Sequence, residues 1–513
     1  MPRINKNIIA GILIASGSFL RFFHLTAHSF WCDEFLAISL GKLRLSKMFG
    51  WVFVNDAHPP LFYTLVHYLL KLGKSEFLLR ILPALFGIAA LVVFYLFLKR
   101  FWKGNILLPL ALFSLSPAAI LWSQILKSYS ALTLFSLLSA YSFFSLKETK
   151  RPLCALGWFL STATLLYLHN YGILVFAAEI IVALFSGSNL SKKIWLPTAI
   201  AIFLAYIPYL SGPIISQIHF AQGATHSVTN PFVRLAYASF YFIFGETLNP
   251  LNLKFVLPGI LFAFFFFRGL FSRKSNDVKL FYSVLMSAGV LMIFLIPTTI
   301  PQNLIHLQPF FFLMVSASVD EFLPKRKTRL LVTFLIPLFL LPSLCYYCRG
   351  DSLQYHDVSK LIPYRQTSQE IEKTEIPGEV ILFTGDSRDR RFAQFFSPYS
   401  AWDWYYRGGL PLTEINSAAT NDLAGMLTKI TGDYRGFWLL LQYGSDRDWN
   451  ETIKSFFFKL EQKGEMVRLT ENKMLRNDSF LARLRGKPEP RYYFLEIYHF
   501  RKHDAPSRIP HDH

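Results

Sequence analysis

The sequence predicts a polytopic α-helical membrane protein of about eleven transmembrane helices followed by a C-terminal extracytoplasmic α/β domain. Three observations carry that prediction. Of 513 residues, 53% are hydrophobic and only 17% charged, whereas a soluble chain needs about 25% charged residues to cover its surface. Uncharged stretches recur at 81–98, 128–146 and 280–319, the last long enough for two spans of roughly 20 apolar residues each. Beyond Cys348 the composition turns polar.

The apolar runs parse into helices at 8–26, 81–98, 105–122, 129–146, 153–169, 171–187, 194–211, 253–271, 279–297, 304–319 and 330–348. Pro197, Pro208, Pro258, Pro297 and Pro337 lie in or near them, which membrane helices tolerate where neighbours satisfy the freed carbonyls. The N-terminal run, with Arg3 and Lys6 before Ile8 to Leu20, resembles a signal peptide. Its cleavage site at Ile14-Ala15-Ser16 is weak and the chain runs straight on into an acidic motif, so an uncleaved first helix is expected. Leu61 to Leu72 and Leu235 to Phe244 are apolar and too short to cross. They read as helices in the interface or across the mouth of the bundle.

Charge gives the orientation. The formal net charge is +19, but the basic residues sit in clusters between apolar runs, which speaks for membrane topology signals and against nucleic acid as a partner. One set of loops holds Arg3/Lys6, Lys99/Arg100/Lys103, Lys147/Lys150/Arg151, Lys192/Lys193, Arg268/Arg273/Lys274 and Lys325/Arg326/Lys327/Arg329. The positive-inside rule assigns this set to the cytoplasm. The opposite short loops, at 124–127, 170 and 298–303, hold one cation, Lys127. The loop from Lys42 to Arg80 breaks the trend, but long loops cross largely regardless of charge. An odd helix count then places both the first loop (about 27–80) and the C-terminus outside. The expected domains are residues 1–348 in the membrane and 349–513 as a soluble domain. In the latter, Val380 to Phe383, Phe437 to Leu441 and Tyr492 to Ile497 read as strands and Asn450 to Lys463 as a helix.

Four cysteines make no disulfide framework. Cys345 and Cys348 admit either a local disulfide or two free thiols. The closing His511-Asp512-His513 reads as a polar tail rather than a metal site, and the sequons at Asn450 and Asn477 are expected by chance at this length.

The chemistry concentrates in the first loop. It carries Trp31-Cys32-Asp33-Glu34 and then Asp56-Ala57-His58-Pro59-Pro60-Leu61. Adjacent carboxylates at a membrane surface are costly and usually functional. The competing structural readings are a solvated pair capping a helix that starts near Phe35, and a rigid Pro-Pro turn leading into the helix at Leu61. Glu179, midway along the sixth helix, is either a functional intramembrane carboxylate or one bonded to a hydroxyl on a neighbouring helix.

Taken with Arg21 at the outer end of the first helix and Leu79-Arg80-x-Leu82-Pro83-x-Leu85-Phe86-Gly87 after the loop, these motifs resemble the bacterial members of the protein O-mannosyltransferase family. Those are polyprenyl-phosphate-sugar glycosyltransferases of the GT-C fold. Ser123-Gln124-x-x-Lys127-x-Tyr129 stands where the family has Gln-x-x-Arg-x-Tyr, and Tyr167-Leu168-His169-Asn170-Tyr171-Gly172 resembles its Thr-His-Tyr segment. The similarity covers roughly residues 8 to 320.

The resemblance implies a GT-C-like, multi-pass glycosyltransferase of the bacterial inner membrane. It would move a sugar from a polyprenyl-phosphate carrier, with inversion, to a hydroxyl acceptor of unknown kind on the outer face, without metal or cofactor. Asp33 would be the base and Glu34 would shape the site. Asp56 and His58 would place donor or acceptor, and Arg21, Lys127, Tyr129 and His169 would contact phosphate or sugar. The chain departs from the family at Lys127, an Arg there, and at Gln302-Asn303, where members carry an Arg-containing pair. Either Lys127 or His306 would compensate, or activity would be reduced. The rivals are a transporter or flippase of lipid-linked sugar or solute, with Glu179 as its coupling site, and a catalytically silent protein that binds the carrier lipid.

Overall fold

The computed structural model describes residues 6–503, apart from 57, 186–191, 211–212, 216–229, 249, 251–252, 271–275, 298, 324, 349–361, 385–400, 416–421, 443–446 and 476–492. The chain divides into two compact units, Met1–Ala27 with Leu40–Ser352, and His28–Ser39 with Leu353–His513. The expectation near residue 348 assigns the whole first loop to the membrane unit. Instead, the segment carrying Asp33 and Glu34 belongs with the C-terminal unit.

In the larger unit each apolar run has a helical counterpart. Four helices, Glu76–Phe101, Tyr129–Thr149, Lys192–Leu210 and Asp277–Leu295, and the run Lys327–Cys345 are long and apolar enough to cross a bilayer. Leu107–Ser114 and Pro117–Gln124 make a sixth span if taken together, bent by 47°. Pro152–Leu168, Asn170–Phe185 and Phe255–Gly269 are apolar but shorter, so among the described residues length and composition mark five spans, or six with the bent pair. This is an integral membrane protein, built around the largely buried Tyr129–Thr149 helix. That helix packs on Glu76–Phe101, on Pro152–Leu168 and on the 3-10 turn Pro301–Leu307.

Local chemistry explains the breaks. The expected single helix at 105–122 is interrupted because Pro117 starts a new helix, with Ser116 as its N-cap accepting from the Ala119 N–H at 3.2 Å. Ser75 caps the Glu76–Phe101 helix in the same way, accepting from Leu78 N–H. Where that helix meets Pro117–Gln124, Gly87 permits the close approach, since a Cβ there would run into the Ser123 side chain. Leu45–Asn55 is a helix that the apolar pattern does not announce, whereas Leu61–Leu72 and Pro231–Phe244 form the short helices expected.

The smaller unit holds a five-stranded sheet. Its strands are β1 (Glu379–Thr384), β2 (Leu412–Ile415), β3 (Gly436–Gln442), β4 (Met466–Leu475) and β5 (Tyr493–Lys502). Their order is β2-β1-β3-β5-β4, with β1 parallel to β2 and β3, and β5 antiparallel to β3 and β4. β1 and β3 are buried along their whole length, which is why they read as continuous apolar runs rather than alternating ones. Val380, Leu382, Phe437, Leu439, Phe457 and Phe500 form the core. At the start of β1, Glu379 is buried and accepts from His499 Nε2 at 3.0 Å and from Arg501 Nη2 at 2.7 Å. Burial pushes this carboxyl up, but the His499 and Arg501 bonds and charges outweigh it and hold it below the usual glutamate range.

Candidate active site

The Leu45–Asn55 helix ends as Asp56 turns extended, and Pro59-Pro60 start the next helix at Leu61. A short strap is left between two helix ends, and its polar side chains face each other. Asp56 Oδ1 accepts from the His58 N–H and from His58 Nδ1, both at 2.9 Å, and Oδ2 accepts from Tyr63 Oη at 2.6 Å. Asp56 is buried. Burial pushes the carboxyl up, but the His58 bond and charge, the Lys127 charge and the Tyr63 hydroxyl together hold it below the usual aspartate range.

Two further helix ends and a turn bring their residues to this strap. His169 closes the Pro152–Leu168 helix, and its ring meets that of His58 edge-on at 5.1 Å. Its Nδ1 accepts the Tyr171 N–H at 3.2 Å, which assigns the imidazole proton to Nε2. Nε2 is buried and finds no hydrogen-bond partner among the described residues. Tyr129 opens its helix with its ring 5.9 Å from His169 and 4.4 Å from Trp122, and its hydroxyl donates to Asn303 Oδ1 at 3.3 Å. Lys127 lies in the tight turn just before it, with its N–H on Ile125 O at 2.7 Å. The Lys127 side chain is only 5% exposed, and its charge acts on both Asp56 and His169.

Asp56, His58, Lys127, Tyr129 and His169 are therefore neighbours, although up to 113 positions separate them in the chain (169 − 56). Arg21, expected beside them as a phosphate contact, is placed otherwise. It is fully buried, with Nη1 donating to Gly17 O (2.8 Å) and Ser114 O (3.3 Å) and Nη2 to Phe113 O (3.4 Å). Unmet carbonyls where the Leu107–Ser114 helix ends draw it in, so it fastens the first helix to that one. Gln124 does similar work, with Nε2 donating to Leu20 O and Phe23 O. Tyr63 is the group that sequence reasoning did not select: a tyrosine on an apolar helix gives no sign of its partner. Gln302 and His306 lie in the 3-10 turn that also supplies Asn303.

Asp33 and Glu34 open the Cys32–Lys42 helix, which starts three residues earlier than expected. The two carboxylates differ. Glu34 is buried and reaches back to accept the Trp31 N–H at 2.8 Å, closing the helix N-terminus as a capping box does. Asp33 is half-buried in the first turn.

The remaining candidates are structural. Glu179 accepts from Ser139 Oγ and from Trp158 Nε1, both at 2.7 Å, as the hydroxyl-bonded reading expects. Cys345 and Cys348 are free thiols, which removes the disulfide alternative. Asn450 is buried, with Nδ2 donating to Gln442 O at 2.9 Å. Asn477 and residues 511–513 lie outside the described residues. Among the described residues no three of His, Cys, Asp and Glu are grouped as metal ligands.

No family model and no curated protein matches the sequence. Solved structures do match in fold. ArnT from Cupriavidus metallidurans in the apo state superposes with a TM-score of 0.53 at 10% identity, over 95% of this chain and 97% of that one. The same protein bound to undecaprenyl phosphate gives 0.52 at 12% identity, with the same coverage. The Archaeoglobus fulgidus oligosaccharyltransferase in the apo form gives 0.51 at 10%, over 85% of this chain and 70% of that one. The chain thus has the GT-C fold that these membrane proteins share.

Proposed function

We propose that this protein is a membrane glycosyltransferase that moves a sugar from a polyprenyl-phosphate carrier to a hydroxyl acceptor on the outer face of the membrane, with inversion. The buried Nε2–H of His169 carries the reading: an unmatched donor next to the Lys127 cation is a site made for an anionic oxygen. Support comes from the neighbour that holds undecaprenyl phosphate within the same fold. Lys127 and His169 bind the phosphate, while Asp56 orients His58 and Tyr129 lines the sugar position.

In the reaction, the acceptor oxygen attacks the anomeric carbon as its proton passes to the Asp33 carboxylate, a transfer worth about 10²–10⁴-fold. The bond between that carbon and the phosphate oxygen breaks, and the electron pair leaves with the polyprenyl phosphate. That group departs as a stable anion, so no general acid is required, and cations that tighten on the growing charge do the stabilising. The carrier tail lies among the helices, and the soluble unit serves the acceptor side. The satisfied state of Glu179 weighs against a transporter that would use it as a coupling site.

Mass spectrometry of envelope glycans and glycoproteins, with and without this protein, tests the reading. One sugar modification is expected to vanish without the chain and to return with the wild type. Identical profiles would refute it.

A further inference from the structure

The Trp31-Cys32-Asp33-Glu34 motif is held by the soluble unit. Just ahead of it, the Phe30 N–H donates to Tyr405 Oη at 2.7 Å, and Ser29 Oγ both accepts the Arg365 N–H at 3.0 Å and donates to Gln366 Oε1 at 3.4 Å. Phe30 and Phe35 pack edge-on to Trp404 at 5.9 and 6.3 Å, and Phe35 to Tyr364 at 6.1 Å. Backbone and side-chain bonds on one side of the motif and aromatic packing on both sides fix its peptide frame.

The place of this docking is informative. Tyr364 Oη donates to Oε1 of Gln442, the last residue of β3, at 2.9 Å. Thr384, the last residue of β1, accepts the Gln442 N–H through Oγ1 at 2.9 Å. Because β1 connects outward to β2 and the chain returns to β3 on the other side, the carboxyl ends of β1 and β3 form the topological switch point. Open α/β sheets bind their ligands there. In this chain Tyr364 links that edge, through its bond to Gln442, to Phe35 of the first-loop segment 28–39.

We infer that the soluble unit acts on the reaction as a positioning domain: Tyr405, through Phe30, and the Ser29 contacts hold the backbone that presents Asp33. Tyr405 is on this inference a positioning residue, touching neither sugar nor phosphate. Its effect falls on turnover, because misplacing a base by a fraction of an ångström slows proton transfer without altering donor affinity. The inference rests on the assignment of Asp33 as base, and the experiment separates the two.

Full-length Tyr405→Phe, Ser29→Ala and Asp33→Asn proteins are compared in nanodiscs. Deuterium exchange of the peptide spanning 28–39 reads the docking with or without activity. At least a fivefold faster exchange in Tyr405→Phe, with β3 unchanged, is expected from loss of one buried hydrogen bond; unchanged exchange overturns the inference. In transfer assays Tyr405→Phe lowers kcat about tenfold with the donor KM within twofold, and Tyr405→Trp does not restore it. If Asp33→Asn transfers normally, the assignment of the base fails whatever the exchange shows. If Asp33→Asn is dead and Tyr405→Phe keeps its full kcat, the positioning inference fails alone.

Discussion

Lys127 offers the sharpest test of the proposed phosphate site, because it is a buried cation whose charge acts on both Asp56 and His169. The perturbation is Lys127→Met, which keeps an apolar stem of similar length while removing the ammonium. A charge-assisted hydrogen bond to a desolvated anion contributes about 2 kcal/mol, so affinity for undecaprenyl phosphate should fall about 30-fold. The side chain is only 5% exposed, so screening by salt should recover little of that difference. Loss of the cation also removes one of the charges that hold Asp56 ionised. Asp56 keeps its bonds to Tyr63 and His58, so folding should suffer less than binding. The assay is titration of the purified protein in nanodiscs with undecaprenyl phosphate, at two ionic strengths, with thermal unfolding as the control. Lys127→Arg should bind within about threefold of wild type, since it restores the charge. Binding of Lys127→Met within twofold of wild type would refute the assignment and leave Lys127 as an interfacial anchor.

Other outcomes follow from the same geometry. Asp33→Asn keeps size and removes proton-accepting power, so transfer should fall 100-fold or more while undecaprenyl phosphate still binds; equal loss of both would reassign Asp33 to donor binding. For Glu379 the folded carboxyl lies below its ordinary value, so its contribution to stability is complete above pH of about 4.3 and fades as pH falls through the folded value. The gap in melting temperature between wild type and Glu379→Gln should therefore be constant near neutrality and narrow in acid; a gap that ignores pH would sink this account. Gln302→Arg should be tolerated and should raise turnover, as read by kcat with the lipid-linked donor; a collapse in folding would mean that the turn has no room for it. In a background without native cysteines, an impermeant maleimide should label Thr428→Cys in intact cells and spare Thr149→Cys. The reverse pattern would invert the topology.

Much of this architecture is legible in composition, because lipid solvation demands uncharged runs and leaves basic clusters at their ends. The break at Ser116-Pro117 escaped the reading of 105–122 as one helix, because hydropathy averaging hides a cap followed by a first-turn proline. The site was readable where motifs are local: Asp56 and His58 are two positions apart and bond directly. Tyr63 escaped because its partner is set by the helix phase after a double proline. Arg21 bonds to the carbonyls of Gly17, Phe113 and Ser114, a placement that sequence cannot foretell, since a cation at a helix end looks the same whether it faces a ligand or a neighbour's carbonyls. The docking of residues 28–39 against a sheet more than 300 positions away lies beyond any local pattern, since aromatic packing carries no address.

The bonds around Glu179 reach beyond that side chain. With the Ser139 proton directed to the carboxyl, Thr162 donates to Ser139 at 2.7 Å, and Trp158 supplies the second donor. Three segments, Tyr129–Thr149, Pro152–Leu168 and Ile173–Phe185, are thereby locked at one rotation about their long axes. Hydrocarbon exerts no hydrophobic drive between helices and offers no substitute donors, so a slip of either partner helix by one residue would strand the carboxyl. The cluster thus works as a key that admits one rotational setting. Two of the keyed helices are those whose ends carry Tyr129 and His169, so the aim of the site is decided about two to three turns away along them.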